Sequence, residues 1–341
     1  MSNDIKNIGA SATARLSKDA ERDNYMNGIT ICGTGSAVPE NIMTNEDLTK
    51  LVDTNDEWIS SRTGIKSRRI ATTETTTGLA AAAARQAIQN SGIRSQDIGL
   101  LIVATFTPDN FTPSVACMVQ RELGLNDVSM AAFDLNAACS GFIYSLVAAG
   151  GMLASMPEKY GLVIGAEVVS RTIDYTDRGT CILFGDGAGA AVIKHKGNAR
   201  LFGYLDAKGD EEILCAKSAD KTAYMPQKLS MNGRDVYQFA VEIVPRCIQN
   251  VLDQADCTLD DIRYVVCHQA NSRIITTVAE RMGASPGQFV QNIETYGNTS
   301  AASIPILLDE LNRGGKLSRG DRIIMAGFGG GLTWGAVMLE W

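Results

Sequence analysis

The sequence predicts an α/β fold built from two similar halves. Three observations carry that expectation. Strand-like runs are apolar throughout rather than alternating, which marks strands buried on both faces. Helix-like stretches lie between them, as in a sheet covered by helices. Motifs also repeat: "AIQN" begins at residue 87 and "CIQN" at 247, an offset of 160.

Taken along the chain, the expected strands are 28–35 (GITICGTG), 98–105 (IGLLIVAT), 130–135 (MAAFDL), 160–167 (YGLVIGAE) and 189–193 (GAAVI). Further runs follow at 262–268 (IRYVVCH), 321–327 (DRIIMAG) and 335–341 (GAVMLEW). Helical stretches are expected at 78–91, 141–155, 238–254 and 300–313. In the repeat, "DIGLLIVAT" matches "DDIRYVVCH", and "FGDGAGAAVI" matches "FGGGLTWGAVML". Cys139 and Asn298 open matched helices, 159 residues apart (298 − 139). The halves are expected at 28–195 and 196–341, so that equivalent loops meet across the join. A purely architectural repeat would not explain why the matched helix starts carry Cys and Asn.

Composition limits the function classes. A chain of 341 residues with 45% hydrophobic and 20% charged residues can bury a substantial core. Its net charge of −7 argues against nucleic acid as a general partner. An acidic partner would need a local basic patch. The eight cysteines form no CxxC pair, and with only two histidines no zinc-ligand spacing appears. Scattered thiols of this kind point to a reduced, cytoplasmic protein. Residues 1–27 are polar and read as a flexible N-terminal extension rather than a signal peptide. No apolar run reaches the roughly 20 residues of a membrane-spanning helix.

Four places carry chemistry. Cys139, in "AACSGF", sits at a strand-to-helix turn. Free N–H groups and the helix dipole would favour its thiolate, while a cysteine among alanines also serves as a small buried hydrophobe. His268 ends the strand "YVVCH" and either faces a cleft as a donor or sits satisfied in the core. His195, before "KGN", reads as a solvated turn residue. Asn298, in "YGNTSAAS", is either a donor to a developing oxyanion or a turn and cap residue. The glycines of "GFGGGLTWG" let backbone N–H groups approach a ligand, or simply allow tight packing. "GTGS" (33–36) lacks the third glycine of a dinucleotide loop.

Together these motifs, with "HQAN", "DTNDEWISSRTGI" and "DYTDRGTCILFGDGAGA", resemble β-ketoacyl-acyl carrier protein synthase III. The resemblance runs from about residue 28 to the C-terminus. It implies a thiolase-like fold of two duplicated βαβαβαββ-type halves in a five-layered α-β-α-β-α arrangement, and a homodimer. It also implies a Cys139, His268, Asn298 triad, with an oxyanion hole from the N–H groups of Cys139 and Gly330. An acyl-CoA primer would acylate Cys139. Malonyl-acyl carrier protein would then lose CO2 and condense, with no metal or cofactor.

By the same resemblance, Trp58, Arg62 and Arg178 contact CoA, and Gly233 and Asn271 line its pantetheine tunnel. Thr112 falls at the floor of the acyl pocket, where acetyl-selective members often carry an aromatic from the dimer partner. Phe111 is the alternative occupant. Arg273 and Arg281 match a carrier-protein patch, in which Glu280 replaces a frequent lysine. A second reading is a secondary-metabolism relative that passes its acyl group to another acceptor.

Overall fold

The computed structural model describes residues 26–156, 158–218 and 227–341, so most of the expected extension at 1–27 lies outside the described residues. The eight expected runs become strands, and four others form at 42–44, 67–69, 214–218 and 227–231. They are β1 (Met26–Ala37), β2 (Ile42–Thr44), β3 (Ser67–Arg69), β4 (Ile98–Ala104), β5 (Ala131–Leu135) and β6 (Tyr160–Glu167). There follow β7 (Gly187–Asp210), β8 (Leu214–Ser218), β9 (Gln227–Met231), β10 (Tyr264–Cys267), β11 (Arg322–Gly329) and β12 (Gly331–Glu340). All but two short antiparallel pairs, β2–β3 and β8–β9, join one eight-stranded sheet.

The sheet contains one pairing pattern twice. In the first, β4 is parallel to β5 and β6, β6 is antiparallel to β7, and β7 is antiparallel to β1. In the second, β10 is parallel to β11 and bridges in parallel to Phe289. There β11 is antiparallel to β12, and β12 to the later part of β7.

Strand β7 is much longer than the 189–193 expected. It passes through 195 and 196, where the sequence suggests a boundary. The "KGN" segment is not a chain-reversing turn. The β1–β7 register jumps from Asn27↔Arg200 to Ile29↔His195, so residues 196–199 bulge opposite Gly28. His195 is therefore a half-buried strand residue rather than a solvated one, and its Nδ1 is shut off without a partner.

Some helices start at a side-chain cap, whereas Gly141–Leu153 and Ser303–Arg313 each continue from a 3-10 turn without one. Thr75 caps Thr76–Ser91 by accepting the Gly78 N–H, and Asn232 caps Gly233–Gln254 through Asp235. The latter tolerates Pro245 in its interior. Helices Thr76–Ser91 and Val115–Glu122 share a core with β4 and β6, through Leu79, Ala83, Val119, Leu101 and Ile164. Helices Gly233–Gln254 and Ser272–Arg281 share another with Ile324 and Ala336. Helices Gly141–Leu153 and Ser303–Arg313 share a third core with strands of both patterns. Phe142, Leu146, Leu307 and Leu308 there meet Ile102 and Val163 as well as Ile323, Met325 and Val337. The functional candidates gather at the starts of these two helices.

Candidate active site

Cys139, His268 and Asn298 come from three different loops and line one cavity of about 560 Å³. Each loop leaves a fixed element. Cys139 lies in a short 3-10 turn, Ala138–Ser140, between β5 and Gly141–Leu153. His268 directly follows β10, and its N–H donates to the Ala326 carbonyl at 2.8 Å. Asn298 precedes a matching 3-10 turn, Ser300–Ala302, before Ser303–Arg313. Its N–H donates to Leu183 O at 2.8 Å, and its carbonyl accepts from Gly185 N–H at 3.0 Å.

Two glycines permit the close approach. A Cβ at Gly165 of β6 would lie 2.2 Å from Ala301 O, and one at Gly329 would lie 2.6 Å from Cys139 N. Any side chain there would push the Asn298 and Cys139 turns away from the strand ends. Both turns also begin with a non-glycine residue in the left-handed region, Ala138 at φ 46° and Ser300 at φ 51°. Such a conformation is costly and persists only where the surroundings enforce it.

The hydrogen bonds decide what each side chain can do. Asn298 Oδ1 accepts from Ser300 N–H at 2.9 Å, which leaves the Nδ2 hydrogens as the available donors. His268 Nδ1 is 2.8 Å from Ser303 Oγ, which also accepts from Gln269 N–H at 3.3 Å. With the Ser303 hydrogen on the Nδ1 side, the ring proton is carried by Nε2. Burial holds His268 at about 3, well below the ordinary imidazole range, so the ring is a neutral donor.

Cys139 departs from the thiolate expected of a helix start. Burial pushes its thiol up to about 12, although the Ser300 hydroxyl pulls the other way. Desolvation outweighs the Ser300 hydrogen bond and favours the thiol over the thiolate. None of the eight cysteines is disulfide-bonded.

The other expected residues divide by location. Arg62, Gly233, Asn271 and Arg273 line the triad cavity. Asn271 Nδ2 donates to Arg62 O at 3.1 Å. Trp58 has the Arg62 and Arg178 guanidinium carbons 5.0 and 4.8 Å from its ring centroid, a cationic and aromatic group suited to a flat base bearing phosphates. Gly330 joins Cys139 in a second cavity of about 470 Å³, with Phe106, Phe184, Leu214, Ala216 and Leu229. Thr112 and Phe111 do not line that cavity. Both are exposed, Phe111 at 66%. Arg281 is exposed, and its guanidinium donates to Val241 O at 2.6 Å.

Sequence reasoning missed Arg234, an exposed cation on the triad cavity, although it directly follows Gly233. It also missed Ser303, Ser300 and Glu167. The first two stand inside "GNTSAAS" and the last ends "YGLVIGAE". Among the described residues no cluster of acids, histidines and cysteines is arranged to hold a metal ion, and no helix is long and apolar enough to cross a membrane.

Comparison with known proteins decides the family. Residues 133–209 match the model for 3-oxoacyl-[acyl-carrier-protein] synthase III, and residues 252–341 match that for its C-terminal part. The chain is 47% identical over 325 residues to β-ketoacyl-[acyl-carrier-protein] synthase III of Clostridium acetobutylicum, covering 93% of this chain and 99% of that one. The chain belongs to the β-ketoacyl-[acyl-carrier-protein] synthase III family. It is thereby an acyltransferase, the initiating condensing enzyme of type II fatty acid synthesis. Its α/β fold matches the synthase III crystal structure from Aquifex aeolicus with a TM-score of 0.87 and 44% identity, over 92% of this chain and 100% of that one. The synthase III from Thermus thermophilus superposes with a TM-score of 0.85 at 39% identity, over 91% of this chain and 98% of that one.

Proposed function

We propose that the chain transfers an acyl group from acyl-CoA to Cys139, then condenses it with malonyl-acyl carrier protein. The observation that carries this reading is one cavity holding a cysteine, a neutral histidine and an asparagine with a free amide. Such a set suits two linked steps: nucleophilic attack, then stabilisation of an enolate without a charged base.

In the first step the Cys139 sulfur bonds to the primer carbonyl and the C–S bond to CoA breaks. The thiol proton ends on the departing CoA. One thioester replaces another, so little net energy is needed. The N–H groups of Cys139 and Gly330 hold the oxyanion of this step. In the second step malonyl-carrier loses CO2. His268 Nε2–H and Asn298 Nδ2–H donate to the enolate oxygen. The carbanion attacks the acyl-Cys139 carbonyl, and the cysteine leaves as a thiolate that takes up one proton from solvent. The products are a 3-oxoacyl-carrier, CoA and CO2. A histidine that stays neutral keeps one donor role throughout.

Trp58, Arg62 and Arg178 bind the adenine and phosphates, and Gly233 and Asn271 border the pantetheine arm. Arg273, the exposed Arg234 and Arg281 supply positive charge for an acidic carrier. The acyl chain occupies the second cavity, walled by Phe106, Leu214, Ala216 and Leu229. Thr112 or Phe111 reaches a primer only from a second copy, consistent with a homodimer. The repeated pairing pattern and three cores support two duplicated halves, 28–195 and 196–341, in five layers.

The priming β-ketosynthase of the R1128 polyketide pathway superposes with a TM-score of 0.84 at 34% identity, over 92% of this chain and 96% of that one. The higher identities to the Clostridium acetobutylicum, Aquifex aeolicus and Thermus thermophilus proteins favour the fatty acid reading. Intact-mass analysis of products from a panel of acyl-CoAs with malonyl-carrier tests it. 3-Oxoacyl-carrier products are expected. Acyl transfer without CO2 loss would favour another acceptor.

A further inference from the structure

Glu167 is a fully buried carboxyl that the reaction above does not use. It sits at the C-terminal end of β6, beside the turns that carry Cys139 and Asn298. Its Oε2 accepts from Thr105 Oγ1 and Thr107 N–H, each at 3.1 Å, and from the Thr107 hydroxyl. Phe106 N–H lies 3.3 Å from both oxygens. With Oε2 so heavily engaged, Oε1 is left to face Ser300 Oγ at 3.2 Å.

Ser300 is the link to the site. It is buried, held at φ 51°, and its N–H donates to Asn298 Oδ1 at 2.9 Å. Its turn packs on the Ala138–Ser140 turn. We propose that Glu167 and Ser300 are positioning residues for condensation: Glu167 fixes the Ser300 side chain, and Ser300 fixes the Asn298 amide and faces the Cys139 sulfur. A left-handed serine needs something to hold it. The Glu167 bond supplies that hold, and its loss lets the Asn298 donor drift. A misplacement of about 1 Å at a reacting group costs on the order of 10² in rate. Burial also pushes Glu167 up to about 8, so the group at neutral pH is largely a neutral acid. A glutamine mimics it, with its carbonyl toward the Thr105–Thr107 donors and its amide toward Ser300.

The inference rests on the roles given above to Asn298 and Cys139, and wild type and Asn298→Ala serve as controls for those roles. The test measures malonyl-carrier decarboxylation and Cys139 acylation separately in Ser300→Gly, Glu167→Ala, Glu167→Gln and the Ser300→Gly/Glu167→Ala double variant. Glycine keeps the left-handed turn and the N–H but removes the hydroxyl. Ser300→Gly is expected to lower kcat for decarboxylation about 10- to 100-fold, with KM within about threefold. Glu167→Ala should lose a similar factor, Glu167→Gln should restore most of it, and the double variant should be no worse than either single one. Full decarboxylation in Ser300→Gly, or multiplying losses in the double variant, overturns the proposal. If Glu167→Ala does not fold, the kcat and KM of Ser300→Gly decide alone. Normal decarboxylation by Asn298→Ala would instead overturn the reading of the site itself.

Discussion

His268 Nδ1 lies 2.8 Å from Ser303 Oγ, and both groups are buried. The serine fixes the orientation of the ring, with Nε2 on its opposite side. Ser303→Ala is expected to slow decarboxylation about tenfold, the equivalent of one hydrogen bond of roughly 1.4 kcal/mol. Acylation of Cys139 should change far less. Single-turnover release of CO2, compared with CoA release, checks this.

The two donors themselves matter more. His268→Ala and Asn298→Ala should each lower malonyl decarboxylation by about 10²–10³, the typical cost of losing one oxyanion donor. Normal decarboxylation in both would remove them from the reaction.

Beside Arg62 and Arg178, Trp58→Ala should raise KM for acyl-CoA about tenfold and leave kcat nearly unchanged. Stacking on a base is worth about 1–3 kcal/mol, and it is present equally in ground and transition states. Steady-state kinetics with varied acyl-CoA reads the split between KM and kcat.

Primer choice distinguishes one chain from two. Ala216→Phe should exclude longer acyl-CoAs while sparing acetyl-CoA, because Ala216 lines the cavity next to Cys139. Each buried CH₂ is worth about 0.8 kcal/mol, or roughly fourfold in affinity. Thr112→Phe should change the preference only if a second copy brings that residue in. The kcat/KM values for acetyl-, isobutyryl- and octanoyl-CoA on each variant check both points.

The pH dependence of stability follows from Glu167. Unfolded, this carboxyl loses its proton near pH 4.3; folded, it keeps it until about 8. Between these values the native state binds more protons, so stability falls as pH rises. His268 acts in the opposite direction, because its pKa is lowered on folding, but its contribution is complete above about pH 6.5. From pH 6.5 to 8, wild type should therefore lose thermal midpoint relative to Glu167→Gln. A constant difference across that range would contradict the burial argument.

Much of this was legible in the sequence. Strands buried on both faces announce themselves as continuous apolar runs, and "YGLVIGAE" was bounded to the residue. The repeat brought Cys139 and Asn298 to matched helix starts. What failed had a local cause. "KGN" looks like a turn in isolation, but a bulge opposite Gly28 lets β7 continue and exchange partners. The Cys139 helix start suggested a thiolate, while burial, invisible in one sequence, reverses the direction. Ser300, Ser303 and Glu167 are ordinary residue types whose roles arise only from contacts between chain-distant segments. Thr112 and Phe111 show a further limit, since an exposed loop says nothing of which chain it serves.

The central claim is that Cys139 carries the acyl group between two half-reactions. The direct measurement is peptide mapping by mass spectrometry after incubation with acyl-CoA alone, followed by a chase with malonyl-carrier. The acyl mass should appear on the peptide containing Cys139, be absent from Cys139→Ala, and disappear in the chase as 3-oxoacyl-carrier forms. Acylation at another cysteine with Cys139 unmodified, or a Cys139 adduct that survives the chase, would contradict it.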